Sequence, residues 1–196
     1  MSSHTNDAHA GVHDESLAGR VREATGESAA KCYQCGKCSA GCPLAAEMDA
    51  PPSQILRLLQ LGIDEMDERA LRTHSIWLCL TCEMCYARCP KEVDLPKVME
   101  FLREESYRRG MVNPKAKDIL AFHKAFLDAI RHTGRLYEVG LIGSYKLRSF
   151  HFLQDLLAAP KLLTRGKLKF VPHRIEGRKA VSRVFQQTIG KKGHDE

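Results

Sequence analysis

Eight cysteines are the residues whose type and spacing could do chemistry in this chain. They fall in two runs of identical pattern, C-x2-C-x2-C-x3-C-P. The first is Cys32, Cys35, Cys38 and Cys42 before Pro43; the second is Cys79, Cys82, Cys85 and Cys89 before Pro90. A thiolate is a soft anionic donor, and three at this even spacing wrap one face of an iron–sulfur cubane. The fourth ligand must then come from elsewhere in the chain.

In two-cluster ferredoxins the cysteine before the proline ligates the other cluster. On that pattern, cluster 1 takes Cys32, Cys35, Cys38 and Cys89, and cluster 2 takes Cys79, Cys82, Cys85 and Cys42. Zinc is the competing reading, but zinc sites pair their cysteines and often add a histidine, which fits two evenly spaced triads poorly. A secreted disulfide framework needs an export signal, and the first 14 residues are polar, with His4, His9 and His13 and no apolar segment. The thiols therefore read as metal ligands in a cytoplasmic protein.

The elements that must position these runs read as helices. Leu17, Val21 and Ala24 recur at helical spacing before Gly26. Between the runs, Pro51 and Pro52 open a helix with Ile55, Leu56, Leu58, Leu59 and Leu61 on its apolar face, and Gly62 stops it. A second helix spans about Asp64 to His74, with Met66, Ala70 and Leu71 inward, and Ser75 caps the turn carrying Ile76, Trp77 and Leu78. After the second run, Asp94-Leu95-Pro96 opens a helix with Leu95, Val98, Met99 and Leu102 at i, i+3, i+4 and i+7. Glu104–Arg108 and Glu105–Arg109 are favourable i,i+4 pairs on it, and Gly110 closes it. Tyr33, Tyr86 and Trp77 lie near ligands and are assigned to core packing, not to a redox role.

Further on, Asn113-Pro114 opens a helix with Ile119, Phe122, Phe126 and Ile130 on one stripe, followed by Gly134. A helical stretch from about Arg135 to Ala159 carries Gly140 and Gly143. A short helix and an irregular or extended piece, Lys167 to Pro172, fill residues 161–176, and a last helix runs from about Arg178 to Thr188.

Charge divides the chain. Residues 1–110 hold 13 Lys/Arg against 17 Asp/Glu, and residues 111–196 hold 17 against 7, so a net +6 conceals −4 and +10. Two oxidised cubanes with their thiolates would bring the total to about +2. The basic residues are spread through apolar helical patterns and form no nucleic-acid motif, which points to protein docking and away from nucleic acid. No stretch is long and apolar enough to span a membrane. No G-x-G-x-x-G follows a strand, so flavin or nicotinamide chemistry belongs to another chain. With every cysteine spent on clusters, none remains for disulfide exchange; no catalytic residue is assigned.

K-C-Y-Q-C-G-K-C-S-A-G-C-P, and I-W-L-C-L-T-C-E-M-C-Y-A-R-C-P with V-D-L-P behind it, resemble the C subunit of heterodisulfide reductase. T-G-R-L-Y-E at 133–138 and R-G-K-L-K-F-V-P at 165–172 resemble its C-terminal segment. The resemblance implies a mainly α fold: a disordered tail over 1–14, an α-helical ferredoxin domain with two [4Fe–4S] clusters over 15–110, and a basic helical extension over 111–196 that docks on partner subunits. It implies the two ligand sets given above. It also implies single-electron relay between a flavin-containing A-like subunit and a catalytic B-like subunit that converts a disulfide or sulfur compound. In methane-forming metabolism that compound is the coenzyme M–coenzyme B heterodisulfide. The α-helical ferredoxin domain also serves iron–sulfur subunits of glycolate oxidase and succinate dehydrogenase, the alternative within redox chemistry. A zinc-stabilised interaction module is the alternative outside it.

Overall fold

The computed structural model describes residues 16–149 and 175–188. The tail over 1–14, the piece from Lys167 to Pro172 and the motif at 165–172 lie outside them. The described residues form helices and no strands. The chain divides into two compact units, one ending at Ala116 and one starting at Lys117. Among the described residues no helix is long and apolar enough to cross a membrane.

In the first unit, α1 (Leu17–Thr25) starts where Ser16 Oγ accepts the Gly19 amide at 3.1 Å and ends at left-handed Gly26. Leu17, Gly19 and Val21 are its buried positions, while Ala24 faces solvent. The four-residue α2 (Lys37–Ala40) lies inside the first cysteine run. Helix α3 (Pro52–Leu61) is opened by the proline pair, whose φ is preset for a first turn, and stops at Gly62, φ 59°. It buries Ile55, Leu56, Leu58 and Leu59, and leaves Leu61 exposed. Helix α4 (Asp64–Arg72) carries Asp64, Glu65 and Asp67 in its first turn and Arg69 and Arg72 in its last, each sign matched to the helix dipole.

Two caps are made by carboxylates distant in sequence. Asp67, buried on α4, accepts the Leu17 amide at 2.9 Å and so ties the start of α1 to α4. Asp49 accepts the His74 and Ser75 amides and the Ser75 hydroxyl, at 2.9, 3.0 and 2.6 Å. Ser75 therefore does not cap α5 (Ser75–Leu78): it sits inside the first turn, and Asp49 satisfies the orphan donors. Partial burial pushes the Asp49 carboxyl up, but these hydrogen bonds outweigh it and hold the group below its ordinary value.

After α6 (Met84–Ala87) in the second run, α7 (Leu95–Arg108) is capped by Asp94, whose Oδ1 accepts the Lys97 amide at 3.3 Å. Leu95, Val98, Met99 and Leu102 are buried and meet α1, α4 and α5. Full burial of such side chains stabilises by roughly 1.5–3 kcal/mol each. Glu105 is no surface partner: its side chain is 3% exposed and receives Arg20 from α1 as well as Arg108 and Arg109, each at 2.5 Å. Arg108 thus pairs with Glu105, at i,i+3, in place of the expected Glu104.

In the second unit, α8 (Lys117–Thr133) packs on α9 (Glu138–Ser149) and on α10 (Arg178–Thr188). The Phe122 ring lies 6.2 Å from Phe126 and 6.1 Å from Tyr145. Among the described residues of this unit only Ala125 is fully buried. Phe122 remains 43% exposed, so the apolar stripe of α8 has no deep core to enter.

Candidate metal centre

The two cysteine runs repeat each other residue by residue. In the first, Gln34 (φ 61°) and Gly36 (φ 76°) are left-handed; in the second, Thr81 (φ 51°) and Glu83 (φ 61°) are. Each second left-handed residue leads into a short helix, α2 or α6, and these two helices pack together. Only Gly36 takes this conformation without a steric cost. At the next equivalent pair, the Arg88 side chain crosses Gly41, with Cδ 2.5 Å from where a Cβ would stand. A larger residue at 41 would displace the guanidinium.

The loops fold around two clefts. Cys32, Cys35, Cys38 and Cys89 line one, with Leu56, Val93 and Leu95. Cys42, Cys79, Cys82 and Cys85 line the other, with Leu44, Met48, Leu95, Pro96 and Met99. Cys85 borders the first cleft too, and Leu95 serves both, so the clefts adjoin. Every cysteine of the chain lies on one of these walls.

The walls suit iron–sulfur clusters. Among the described residues, no three His, Cys, Asp or Glu side chains converge to hold a single ion. A zinc ion would draw its sulfurs to about 2.3 Å, whereas thiols set around a cleft suit a group of several atoms. Amide donors already address the sulfurs: Gln34 N–H reaches Cys32 Sγ and Val93 N–H reaches Cys89 Sγ, both at 3.4 Å. Burial pushes the Cys38, Cys79 and Cys85 thiols up, Cys85 to about 11. Cys35 is held low, first by the Lys37 amide and then by the Tyr33 hydroxyl, against partial burial.

A side chain from a long helix fixes each loop. Gln60 of α3 donates to the Cys32 carbonyl at 2.6 Å and to the Ala29 carbonyl at 2.9 Å. Arg103 of α7 donates to the carbonyls of Ile76 (3.0 Å) and Cys79 (3.2 Å). Sequence reasoning missed both. The one signal at Gln60 is a polar residue inside the run Leu58-Leu59-Gln60-Leu61. Of the aromatics assigned to packing, Trp77 is buried, but Tyr33 is 56% and Tyr86 41% exposed. The two tyrosines are therefore not core.

A family model described as a 4Fe-4S dicluster domain matches residues 28–93. The chain is 28% identical over 109 residues to the C subunit of the H(2):CoB-CoM heterodisulfide,ferredoxin reductase of Methanothermobacter thermautotrophicus, covering 56% of this chain and 57% of that one. It is 35% identical over 79 residues, 40% of each chain, to the C2 iron-sulfur subunit of the CoB--CoM heterodisulfide reductase of Methanocaldococcus jannaschii. The same identity, length and shares hold for the C iron-sulfur subunit of that reductase from Methanopyrus kandleri. The chain thus spans about half the length of the curated relatives it matches. It is an electron-transfer protein of the type of the heterodisulfide reductase C subunit, built on a dicluster domain that binds two [4Fe–4S] clusters.

Proposed function

We propose that the chain is the relay subunit of a heterodisulfide-reductase-like complex in the cytoplasm, passing single electrons between a flavin-containing A-like subunit and a catalytic B-like subunit. Its ligands are Cys32, Cys35, Cys38 and Cys89 for cluster 1, and Cys79, Cys82, Cys85 and Cys42 for cluster 2. When bound, each cluster supplies one-electron chemistry between total charges of −2 and −3. The polypeptide does the rest. Gln60 and Arg103 fix the loops, and Leu44, Met48, Leu56, Val93 and Leu95 keep water from the sulfurs.

The observation that carries this reading is the allocation of all eight cysteines to two adjoining clefts, which leaves no thiol for chemistry on a substrate. Exposed Tyr33, Leu80, Met84 and Tyr86 beside the ligands suit docking by other redox subunits. The names of the relatives support membership of a multi-subunit reductase.

Anaerobic purification tests the proposal. A brown protein is expected, with about one acid-labile sulfide per iron, that elutes at low salt with a flavoprotein and a cysteine-rich subunit. A colourless zinc protein, or co-elution with the subunits of a different dehydrogenase, would overturn it.

A further inference from the structure

The repeat between the two cysteine loops makes their differences informative. Backbone donors are matched: the Gln34 amide on Cys32 has its counterpart in the Thr81 amide on Cys79. Side-chain donors are not. Tyr33 O–H donates to Cys35 Sγ. Gln34 Nε2 lies 3.5 Å from Cys32 Sγ and is steadied by Gln60 Oε1 at 3.1 Å. Ser39 O–H donates to Cys38, while its Oγ accepts the Ser53 amide at 2.9 Å.

The equivalent residues in the second loop are Leu80, Thr81 and Tyr86. Leu80 has no donor. The Thr81 hydroxyl is turned to the Leu80 carbonyl, 2.7 Å away. Cys85 receives the Tyr86 amide where Cys38 has both an amide and a hydroxyl. Lys37 stands beside Cys35, and Met84 occupies the corresponding place in the second loop.

We propose that Tyr33, Gln34 and Ser39 raise the potential of cluster 1 above that of cluster 2, so that the first electron taken up by the chain rests on cluster 1. This rests on the ligand sets proposed above. Reduction adds one negative charge, shared with the sulfurs; donors aimed at sulfur stabilise it, and burial among apolar walls opposes it. Burial dominates at Cys79 and Cys85, which points the same way. Arg103 is the opposing influence. Its guanidinium favours charge on Cys79, but it is engaged by two carbonyls and does not outweigh burial there. Tyr33, Gln34 and Ser39 are positioning residues: they act through the ligand sulfurs.

The test is an EPR-monitored redox titration of the full-length, cluster-loaded chain. Cys35→Ser and Cys82→Ser identify the signals of clusters 1 and 2. Tyr33 is exposed, so Tyr33→Phe leaves the fold intact. It is expected to lower only the higher-potential step, changing the reduced-to-oxidised ratio of cluster 1 at fixed potential by up to about tenfold, ~59 mV for one electron. The reciprocal Leu80→Tyr is expected to raise only the lower step. A shift of the lower step in Tyr33→Phe, no shift in either, or assignment of the higher step to the cluster marked by Cys82→Ser overturns the inference while leaving the ligand sets standing. A chain without two separable clusters overturns the ligand reading itself.

Discussion

Glu105 is where the first unit is most sensitive to a single atom. Its side chain is 3% exposed, whereas the three arginines on it are 28%, 62% and 35% exposed. Glu105→Gln keeps the shape and removes the charge. Breaking a buried ion pair by deleting one partner costs about 3–5 kcal/mol, because the other charge stays buried and uncompensated. Here each arginine can turn towards water, so the cost falls to about 2–3 kcal/mol, with exposed Arg108 contributing least. For a unit of this size that corresponds to a fall in Tm on the order of 10 °C. Circular dichroism on the cluster-loaded protein at one scan rate reads this shift, and Arg20→Met, which cuts the link from α1 to α7, should give a smaller one. A Glu105→Gln shift within error of wild type, or a larger loss from Arg108→Ala than from Glu105→Gln, would refute the reasoning.

Glu83 holds a left-handed conformation at 61°, where its counterpart is Gly36. That conformation costs an L-residue about 1–2 kcal/mol, part of which a glycine returns as unfolded-chain entropy. Glu83→Gly should therefore slow thermal bleaching of the clusters and Gly36→Ala should hasten it; equal rates in both variants would contradict the argument. Residues 111–196 carry an excess of ten positive charges, and the described part of the second unit buries only Ala125 fully. Deleting them should leave both cluster signals in EPR and abolish complex formation, measured by co-purification of the partners; assembly of the truncated chain would refute docking through this segment.

The features legible in the sequence are local ones. The cysteine spacing marks the cluster loops, because ligand geometry is written in intervals of a few residues. Pro51-Pro52, Gly62, Gly26 and Gly110 mark helix ends, because their backbone preferences do not wait for tertiary structure. What escaped depends on distant partners. Asp49 reaches Ser75 across 26 residues, and Asp67 reaches Leu17 across 50. No local pattern distinguishes such a carboxylate from a solvated one. Glu105 looked like half of a surface pair because periodicity alone cannot report Arg20 on another helix. Tyr33 and Tyr86 were read as core from aromatic character, yet a loop closing around a cluster turns its non-ligand side chains outwards.

The ligand crossover is tested most directly by Cys89→Ser, compared in EPR with Cys35→Ser and Cys82→Ser as markers of the two signals. The account predicts that Cys89→Ser perturbs the signal altered by Cys35→Ser and leaves the one altered by Cys82→Ser unchanged. Perturbation confined to the Cys82 signal would mean that each run holds its own cluster, and would contradict the account.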